Sequence, residues 1–150
     1  MSSGHLLDTS VLSMLAPGKS ALAPELVAWL RHHAEGLFLS AVSVAEIEQG
    51  ICMLRRTGGT ERADRLKQWL DELLAASSDR VLSLDSRVSR EAGALSDRAL
   101  AIGRHPGFAD VAIAATATKH GLVLLTRNGR HFASLGLAFI DPTEALPTES

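Results

Sequence analysis

Residues 110–128 read DVAIAATATKHGLVLLTRN and join a helix-forming stretch to a strand-forming one. The first part is rich in apolar residues up to His120, and Gly121 follows as a C-terminal stop. Leu122 to Thr126 is a short apolar run with the length of a buried strand. A helix that leads directly into a buried strand is typical of α/β proteins with a mainly parallel sheet.

The rest of the chain repeats this alternation. We predict strands at residues 6–7, 37–42, 81–84, 122–126 and 138–140. We predict helices over residues 11–15, from residue 24, over 43–56, from residue 60, over 86–102 and over 110–120. The two long helices between the second and third strands exceed a simple crossover, so we expect them to form a protruding helical hairpin suited to a partner surface.

The composition excludes several classes of protein. A chain of 150 residues suits one domain, and 46% hydrophobic with 21% charged residues is typical of a globular protein. The apolar runs are shorter than the roughly 20 residues of a membrane span. Residues 1–5 lack the features of a signal peptide, so we expect a cytoplasmic protein. The single cysteine, Cys52, excludes an internal disulfide, and we predict that it is a small buried hydrophobe.

Charge is distributed unevenly along the chain. The net charge of −2 does not indicate a general nucleic-acid binder. Basic residues nevertheless lie just before and soon after Asp110, namely Arg104, His105, Lys119, Arg127, Arg130 and His131. They form either an ordinary solvated surface or a basic rim suited to a polyanion that is cut at an acidic centre.

Three acidic residues occur beside apolar segments, where an unpaired carboxylate is costly. Asp8 follows the first predicted strand, Glu46 follows the second strand and its connection, and Asp110 lies in the first turn of a helix. Ligands of open parallel sheets bind beyond the carboxyl ends of the strands. We therefore expect Asp8 and Glu46 at that edge, with Asn128 beside them if the first and fourth strands are neighbours. Asp110 joins them if its helix begins near the same edge.

Each acid also has a purely structural interpretation. Asp8 is a good N-cap residue for the helix that follows it. Glu46 stands three residues after Ser43, which is the spacing of a capping box, and Asp110 is favoured by the helix dipole. A common cation site explains all three acids at once, and oxygen-rich sites suit Mg²⁺ or Mn²⁺.

Four motifs stand in order along the chain: LLDTSV at residues 6–11, SVAEI at 43–47, ADVAIAATA at 109–117 and LTRN at 125–128. Together they resemble the PIN-domain family, and more closely the VapC-type toxins of bacterial toxin–antitoxin systems, including the FitB-like members. The resemblance covers a single domain from residue 6 to about residue 141 and leaves 142–150 as a tail. It implies a three-layer α/β sandwich with a parallel sheet of about five strands and helices on both sides.

The resemblance also implies a function. Family members are metal-dependent endoribonucleases that act as toxins of type II toxin–antitoxin systems and hydrolyse RNA with carboxylate-bound Mg²⁺ or Mn²⁺. On the matching positions, Asp8, Glu46 and Asp110 are the catalytic and metal-binding acids. The implied partners are a cognate antitoxin, the RNA substrate and a second copy of the chain in a homodimer, with DNA bound only through the antitoxin.

Further residues around the acids receive supporting roles. We assign hydrogen bonds to phosphate or to the carboxylates to Thr9, Ser10 and Thr126. We assign contacts with the RNA backbone, made by charge rather than base reading, to Arg127 and Arg104.

The chain departs from the family pattern at three positions. Ser10 stands where Asn is common, and Asn128 and His131 stand where family members carry a fourth acid. Asn128 offers an oxygen without a charge, so it is a weaker metal ligand, and we expect one firmly bound ion rather than two.

Two alternative functions remain open on the sequence. The first is a PIN-like domain of weak or no activity that binds RNA or a protein partner, which the missing fourth acid favours. The second is a haloacid-dehalogenase-like phosphatase with Asp8 as nucleophile, although Ser10 then stands where that class carries a second acid.

Overall fold

Five short strands form one sheet in the computed structural model, which describes residues 4–148. The strands are β1 (His5–Leu7), β2 (Leu37–Ser40), β3 (Val81–Leu82), β4 (Val123–Leu125) and β5 (Phe139–Ile140). Their order across the sheet is β3-β2-β1-β4-β5, and each neighbouring pair is parallel. The chain order therefore changes direction between β1 and β4, and this switch point is where open α/β sheets bind ligands.

Helices connect the strands. Within residues 4–148 they are α1 (Thr9–Met14), α2 (Pro24–His32), α3 (Ala41–Arg56), α4 (Thr60–Ala76), α5 (Ser86–Ala101), α6 (Phe108–His120) and α7 (Gly129–Ala133), with a 3-10 turn at Ala34–Gly36. In this part of the chain no helix is long and apolar enough to cross a membrane. The end of the predicted C-terminal tail, residues 149–150, and the first three residues of the N-terminus lie outside the described residues.

The two faces of the sheet carry separate cores, because successive side chains of a strand point to opposite sides. Leu6 and Leu124 pack with apolar residues of α5, α6 and α7 on one face. Leu7 and Leu125 pack with α1 and α2 on the other face, where residues of α3 and α4 also contact them. The predicted three-layer sandwich with a central parallel sheet is confirmed.

The helices α3 and α4 form the predicted hairpin and have a small core of their own. Ile51 of α3 packs against Ala63 and Leu70 of α4. The prediction that Cys52 is buried is wrong, since the thiol is exposed. Ile51 faces α4, and the next residue of an α-helix points about 100° away.

The start of α3 differs from the prediction. The strand β2 ends at Ser40, whose side chain caps the helix by accepting a hydrogen bond from the backbone N–H of Val42 at 3.1 Å. The helix therefore begins at Ala41, and both Ser43 and Glu46 lie inside it. The capping-box interpretation of Glu46 is wrong, because Ser40 already occupies the cap.

The helix α6 is buried on all sides over residues 111–117, which explains its alanine-rich sequence. It ends at Gly121, which adopts the left-handed conformation with φ of 64°. Since α6 leads into β4, it runs against the direction of the strands over roughly 20 Å. Its first turn, with Asp110, consequently lies at the carboxyl edge of the sheet.

Candidate active site

Asp8 lies directly after the central strand β1 and is only 3% exposed. Its backbone carbonyl accepts hydrogen bonds from the N–H groups of Val11 and Leu12 and so starts α1. Its side chain makes no capping hydrogen bond. The interpretation of Asp8 as an N-cap alone is therefore wrong, because the carboxylate points elsewhere.

The carboxylate of Asp8 is held by two hydroxyl groups. Thr126, fully buried directly after β4, donates to Asp8 Oδ2 at 2.7 Å. Ser10 donates to the same oxygen at 2.9 Å. The other oxygen, Oδ1, makes no hydrogen bond within the described residues. Asp8 is therefore oriented through Oδ2, and Oδ1 remains available to a ligand.

A second hydrogen-bonded group stands beside Asp8 on α1 and α3. Thr9 Oγ1 donates to Glu46 Oε1 at 2.6 Å and lies 2.8 Å from Ser43 Oγ. Ser43 is fully buried, whereas Glu46 is exposed in the second turn of α3. Thr9, the residue next to Asp8, thus connects Glu46 of α3 to the start of α1.

Asp110 lies at the third position of α6, where its side chain is 30% exposed. Burial raises the pKa of its carboxyl group, and the negative charge of Asp8 raises that pKa further. His131 of α7 acts in the opposite direction, with its Nδ1 3.3 Å from Asp110 Oδ2. The charge of Asp8 therefore acts on Asp110, as expected for two carboxyl groups at the same edge of the sheet.

Basic side chains border Asp110 on the outer side. Arg104, His105 and His131 line a cavity of about 290 Å³ together with Asp110. Within residues 4–148 the guanidinium of Arg104 makes no ion pair or hydrogen bond, so its charge is available to a ligand. Of the predicted basic rim, Arg104, His105 and His131 lie at this position. Lys119 does not, because it lies in the last turn of α6, at the other end of that helix, beside Glu91.

The segment after β4 contributes mainly through its backbone. The N–H of Arg127 donates to Ser10 Oγ at 3.1 Å, and the N–H of Asn128 donates to Thr126 Oγ1 at 2.9 Å. The side chains of both residues are exposed. In the described part of the chain, the Asn128 side chain makes no hydrogen bond to any of the three acids.

The structure thus brings Asp8 and Asp110 together and leaves Glu46 one hydrogen bond away, beyond Thr9. Among residues 4–148, no three Asp, Glu, His or Cys side chains converge closely enough to form a complete metal-ligand set. The donors nevertheless fit Mg²⁺ or Mn²⁺ in chemistry, because they are carboxylate oxygens and one of them is desolvated beside a second negative charge.

Two members of the site were not predicted from the sequence. Ser43 was taken as a helix cap, yet it lies on the same helical face as Glu46 at the i, i+3 spacing and contacts Thr9. His131 was predicted as part of a basic rim and as the position of a missing acid, but its pairing with Asp110 was not predicted. Its place within α7, a helix of five residues that was not predicted, concealed this pairing.

Comparison with known proteins decides the family. A model of the PIN domain family matches residues 5–136. This chain belongs to the PIN domain family. The haloacid-dehalogenase-like alternative is therefore wrong.

Relatives place the chain in the VapC-type branch of that family. It is 36% identical over 140 residues to VapC ribonuclease Y4jK of Sinorhizobium fredii, covering 93% of this chain and 97% of the relative. It is 33% identical over 141 residues to toxin FitB of Neisseria gonorrhoeae, covering 91% and 96% of the two chains. The crystal structure of FitAcB from Neisseria gonorrhoeae matches it with a TM-score of 0.77 and 32% identity, covering 91% and 96%.

Proposed function

We propose that this PIN-domain protein is a metal-dependent endoribonuclease that acts as the toxin of a type II toxin–antitoxin system. The observation that carries the proposal is the placement of Asp8, after β1, and Asp110, in the first turn of α6, at the carboxyl edge of the sheet beside its switch point. The similarity to a VapC ribonuclease and to toxin FitB supports the same activity.

Asp8 and Asp110 are the residues that would hold the ion, with Glu46 completing the set. A bound Mg²⁺ or Mn²⁺ would supply Lewis-acid stabilisation of the phosphate and a water nucleophile at neutral pH. The missing charge at Asn128 and His131 favours one firmly held ion over two.

The remaining residues orient these acids and bind the RNA. Thr126 and Ser10 fix one oxygen of Asp8, so that its orientation is set before substrate arrives. Arg104 and Arg127 flank the acids and bind backbone phosphates through charge.

Partners form the second part of the proposal. A cognate antitoxin covers the acid site and restrains the activity, and DNA is bound only through that antitoxin. The chain acts as a homodimer in the cytoplasm. These proposals rest on the resemblance to VapC-type and FitB-like toxins.

The decisive experiment measures RNA cleavage by the purified protein with and without Mg²⁺ or Mn²⁺. We expect cleavage with either ion, loss of cleavage with a chelator, and loss of cleavage in Asp8→Asn and Asp110→Asn. Both replacements keep the size of the side chain and remove its charge. Circular dichroism and thermal unfolding check that the variants remain folded.

The matched control is Asp64→Asn, which changes an exposed acid of α4 that pairs with Arg55 of α3 and makes no contact with the three candidate acids within residues 4–148. This variant is expected to cleave RNA at the wild-type rate. Cleavage that continues unchanged in Asp8→Asn would show that a contaminating nuclease, rather than this site, is responsible.

The alternative is a PIN-like domain that binds RNA or a protein without cutting. One observation favours it: the acids do not form a complete ligand set among the described residues. Isothermal titration with Mn²⁺ separates the two, since a domain that only binds RNA has no need of the ion.

A further inference from the structure

A cavity of about 410 Å³ opens on one side of the acid site. Its walls are formed by α1, the segment of residues 19–23, the beginning of α2, Arg127 and the turn that follows β5. We call it the Lys19 pocket. Its volume falls in the range of roughly 300–1,000 Å³ that is typical of small-ligand sites.

The Lys19 pocket is continuous with the acid site through Ser10. The hydroxyl of Ser10 donates to Asp8 at 2.9 Å, and Ser10 also lines the pocket. The backbone N–H of Arg127, another lining residue, donates to the same hydroxyl at 3.1 Å. A ligand group in the pocket therefore lies one side chain away from Asp8.

The lining combines an apolar surface with uncommitted polar groups. The apolar part comes from Met14, Leu22 and Leu26. The polar part comes from Ser13, Lys19 and Ser20, and within residues 4–148 their side chains make no hydrogen bond or ion pair. Apolar walls with a few unpaired polar groups are the usual composition of a pocket that binds and orients an organic ring system.

The charge at the mouth indicates the kind of ligand. Lys19 and Arg127 are both exposed cations at the rim. Their positive charge favours a ligand in which a ring is attached to a negatively charged phosphate backbone, rather than a neutral or cationic ligand. Proteins hold unpaired RNA bases between planar groups, and an arginine guanidinium serves where aromatic residues are absent. No aromatic side chain lines this pocket, so Arg127 supplies the planar group.

We infer that the Lys19 pocket binds an unpaired nucleobase of the RNA next to the cleaved phosphodiester, and that it determines base preference at that position. The inference rests on the proposed ribonuclease function. Hydroxyl groups of Ser13 and Ser20 and the amine of Lys19 read the edge of the base. The plane of the Arg127 guanidinium covers the face of the base, while its charge binds the adjacent backbone phosphate. The residues that select the base thereby lie beside the acids, and they do so without the aromatic side chains in which the chain is poor.

The test fills the pocket and measures base preference. Ala21 lies in the loop before α2, where it is exposed and lines the pocket, so Ala21→Trp occupies the cavity without entering the core. Cleavage of a randomised single-stranded RNA, followed by sequencing of the ends, gives kcat/KM for each base at each position. We expect the wild type to prefer one base at one position beside the cut. In Ala21→Trp that preference falls by about tenfold or more, while preferences at other positions stay unchanged.

Ser20→Ala provides a second variant that removes one polar group from the pocket without changing its shape. It is expected to reduce the same preference at the same position. The matched control is Ala28→Trp, an identical substitution at an exposed position of α2 that does not line the pocket. The control is expected to keep the wild-type preference.

Three results would overturn the inference. The first is an unchanged base preference in Ala21→Trp and Ser20→Ala. The second is a uniform loss of cleavage for all RNAs, which assigns the pocket to the backbone alone. The third is wild-type cleavage with weakened antitoxin binding, which assigns the pocket to the protein partner. Failure of the proposed function is recognised separately, because the wild type would then show no Asp8-dependent cleavage, and the inference falls with it.

Discussion

Asp8 performs two tasks with different atoms. Its backbone carbonyl begins α1, while its side chain points to the carboxyl edge and is held by Thr126 and Ser10. A buried carboxylate held in this way is stable only because both hydroxyl groups satisfy it. The orientation of Asp8 therefore depends on a residue that lies 118 positions away in the sequence.

The contribution of Thr126 can be tested with an isosteric replacement. Thr126→Val removes the hydroxyl that fixes Asp8 and keeps the volume of the buried side chain. We expect metal affinity and kcat/KM to fall by about 10- to 100-fold, because the carboxylate loses its orientation. Metal titration and RNA cleavage measure these two quantities.

Thr116→Val is the matched control for that experiment. Thr116 is also buried, and its hydroxyl donates to the Ala112 carbonyl at 2.8 Å, away from the acids. Thr126→Val loses two hydrogen bonds, one to Asp8 and one from the Asn128 N–H, whereas Thr116→Val loses one. Each lost bond is expected to lower the free energy of unfolding by about 1 kcal/mol. Equal cleavage rates in the two variants would contradict the assigned role of Thr126.

The pKa of Asp110 predicts that the stability of the protein depends on pH. Because burial and Asp8 raise the pKa of this carboxyl group, the folded protein favours the protonated form, although His131 opposes the shift. Its contribution to stability is thus complete below the unfolded pKa and is lost as pH rises through the folded pKa. In the presence of a chelator, Asp110→Asn should be more stable than the wild type at neutral pH by up to about 1 kcal/mol.

Thermal unfolding over a series of pH values checks this prediction. The advantage of Asp110→Asn should disappear as pH falls towards the unfolded pKa of 3.8. Addition of Mg²⁺ should raise the melting temperature of the wild type but not that of the variant, since only the wild type binds the ion. An advantage that does not change with pH would show that the charge of Asp110 is not its cause.

At the scale of elements, connectivity places the acids. A strand of a parallel sheet is entered from the amino edge, so the helix before it must begin at the carboxyl edge. This argument locates Asp110 at the first turn of α6 beside Asp8 after β1. Glu46 approaches from α3, which starts at the same edge because Ser40 ends β2 there.

Replacement of Ser40 tests the observed start of α3. Ser40→Ala removes the cap on the Val42 N–H and is expected to cost about 1 kcal/mol of the free energy of unfolding. Ser96→Ala, in the interior of α5, is the control and should be neutral or slightly stabilising, because alanine is the better helix former. Denaturant titration measures both. A Ser40→Ala variant as stable as the wild type would contradict a helix start at Ala41.

Much of this arrangement was predictable from local patterns. The alternation of short apolar runs and helical segments predicts the parallel sheet, and the position of Asp8 after β1 and of Thr126 after β4 follows from it. Local patterns do not identify which of two nearby serines caps α3, since Ser40 and Ser43 are equally good caps. They also miss α7, whose five residues are too few to show a helical period.

The same limit applies to the candidate site. The choice of Asp8, Glu46 and Asp110 depends on motifs that the sequence displays. The pairing of His131 with Asp110 depends on the packing of α7 against α6, which is a tertiary contact without a sequence signal. The role of each residue in cleavage stays a prediction until the variants are measured.

At the scale of the whole molecule, the protein and its proposed substrate both carry a net negative charge. The chain carries a net charge of −2, and the proposed substrate, RNA, is a polyanion. Binding then depends on the few cations that face the acid site, because exposed charges further away than about 8–10 Å are screened by salt. Among the described residues, cations in that position include Arg104 on one side and Arg127 with Lys19 on the other.

Arg104→Gln tests this local electrostatic mechanism. Loss of one phosphate contact should raise KM for all RNAs alike, and it should reduce the slope of log KM against log salt concentration by about 0.7. Base preference should not change, because a backbone contact carries no sequence information. Arg56→Gln, an exposed arginine in the last turn of α3, changes the net charge equally and should leave the slope unaltered. If both variants changed the slope to the same extent, binding would depend on the overall charge of the molecule rather than on a cation beside the acids.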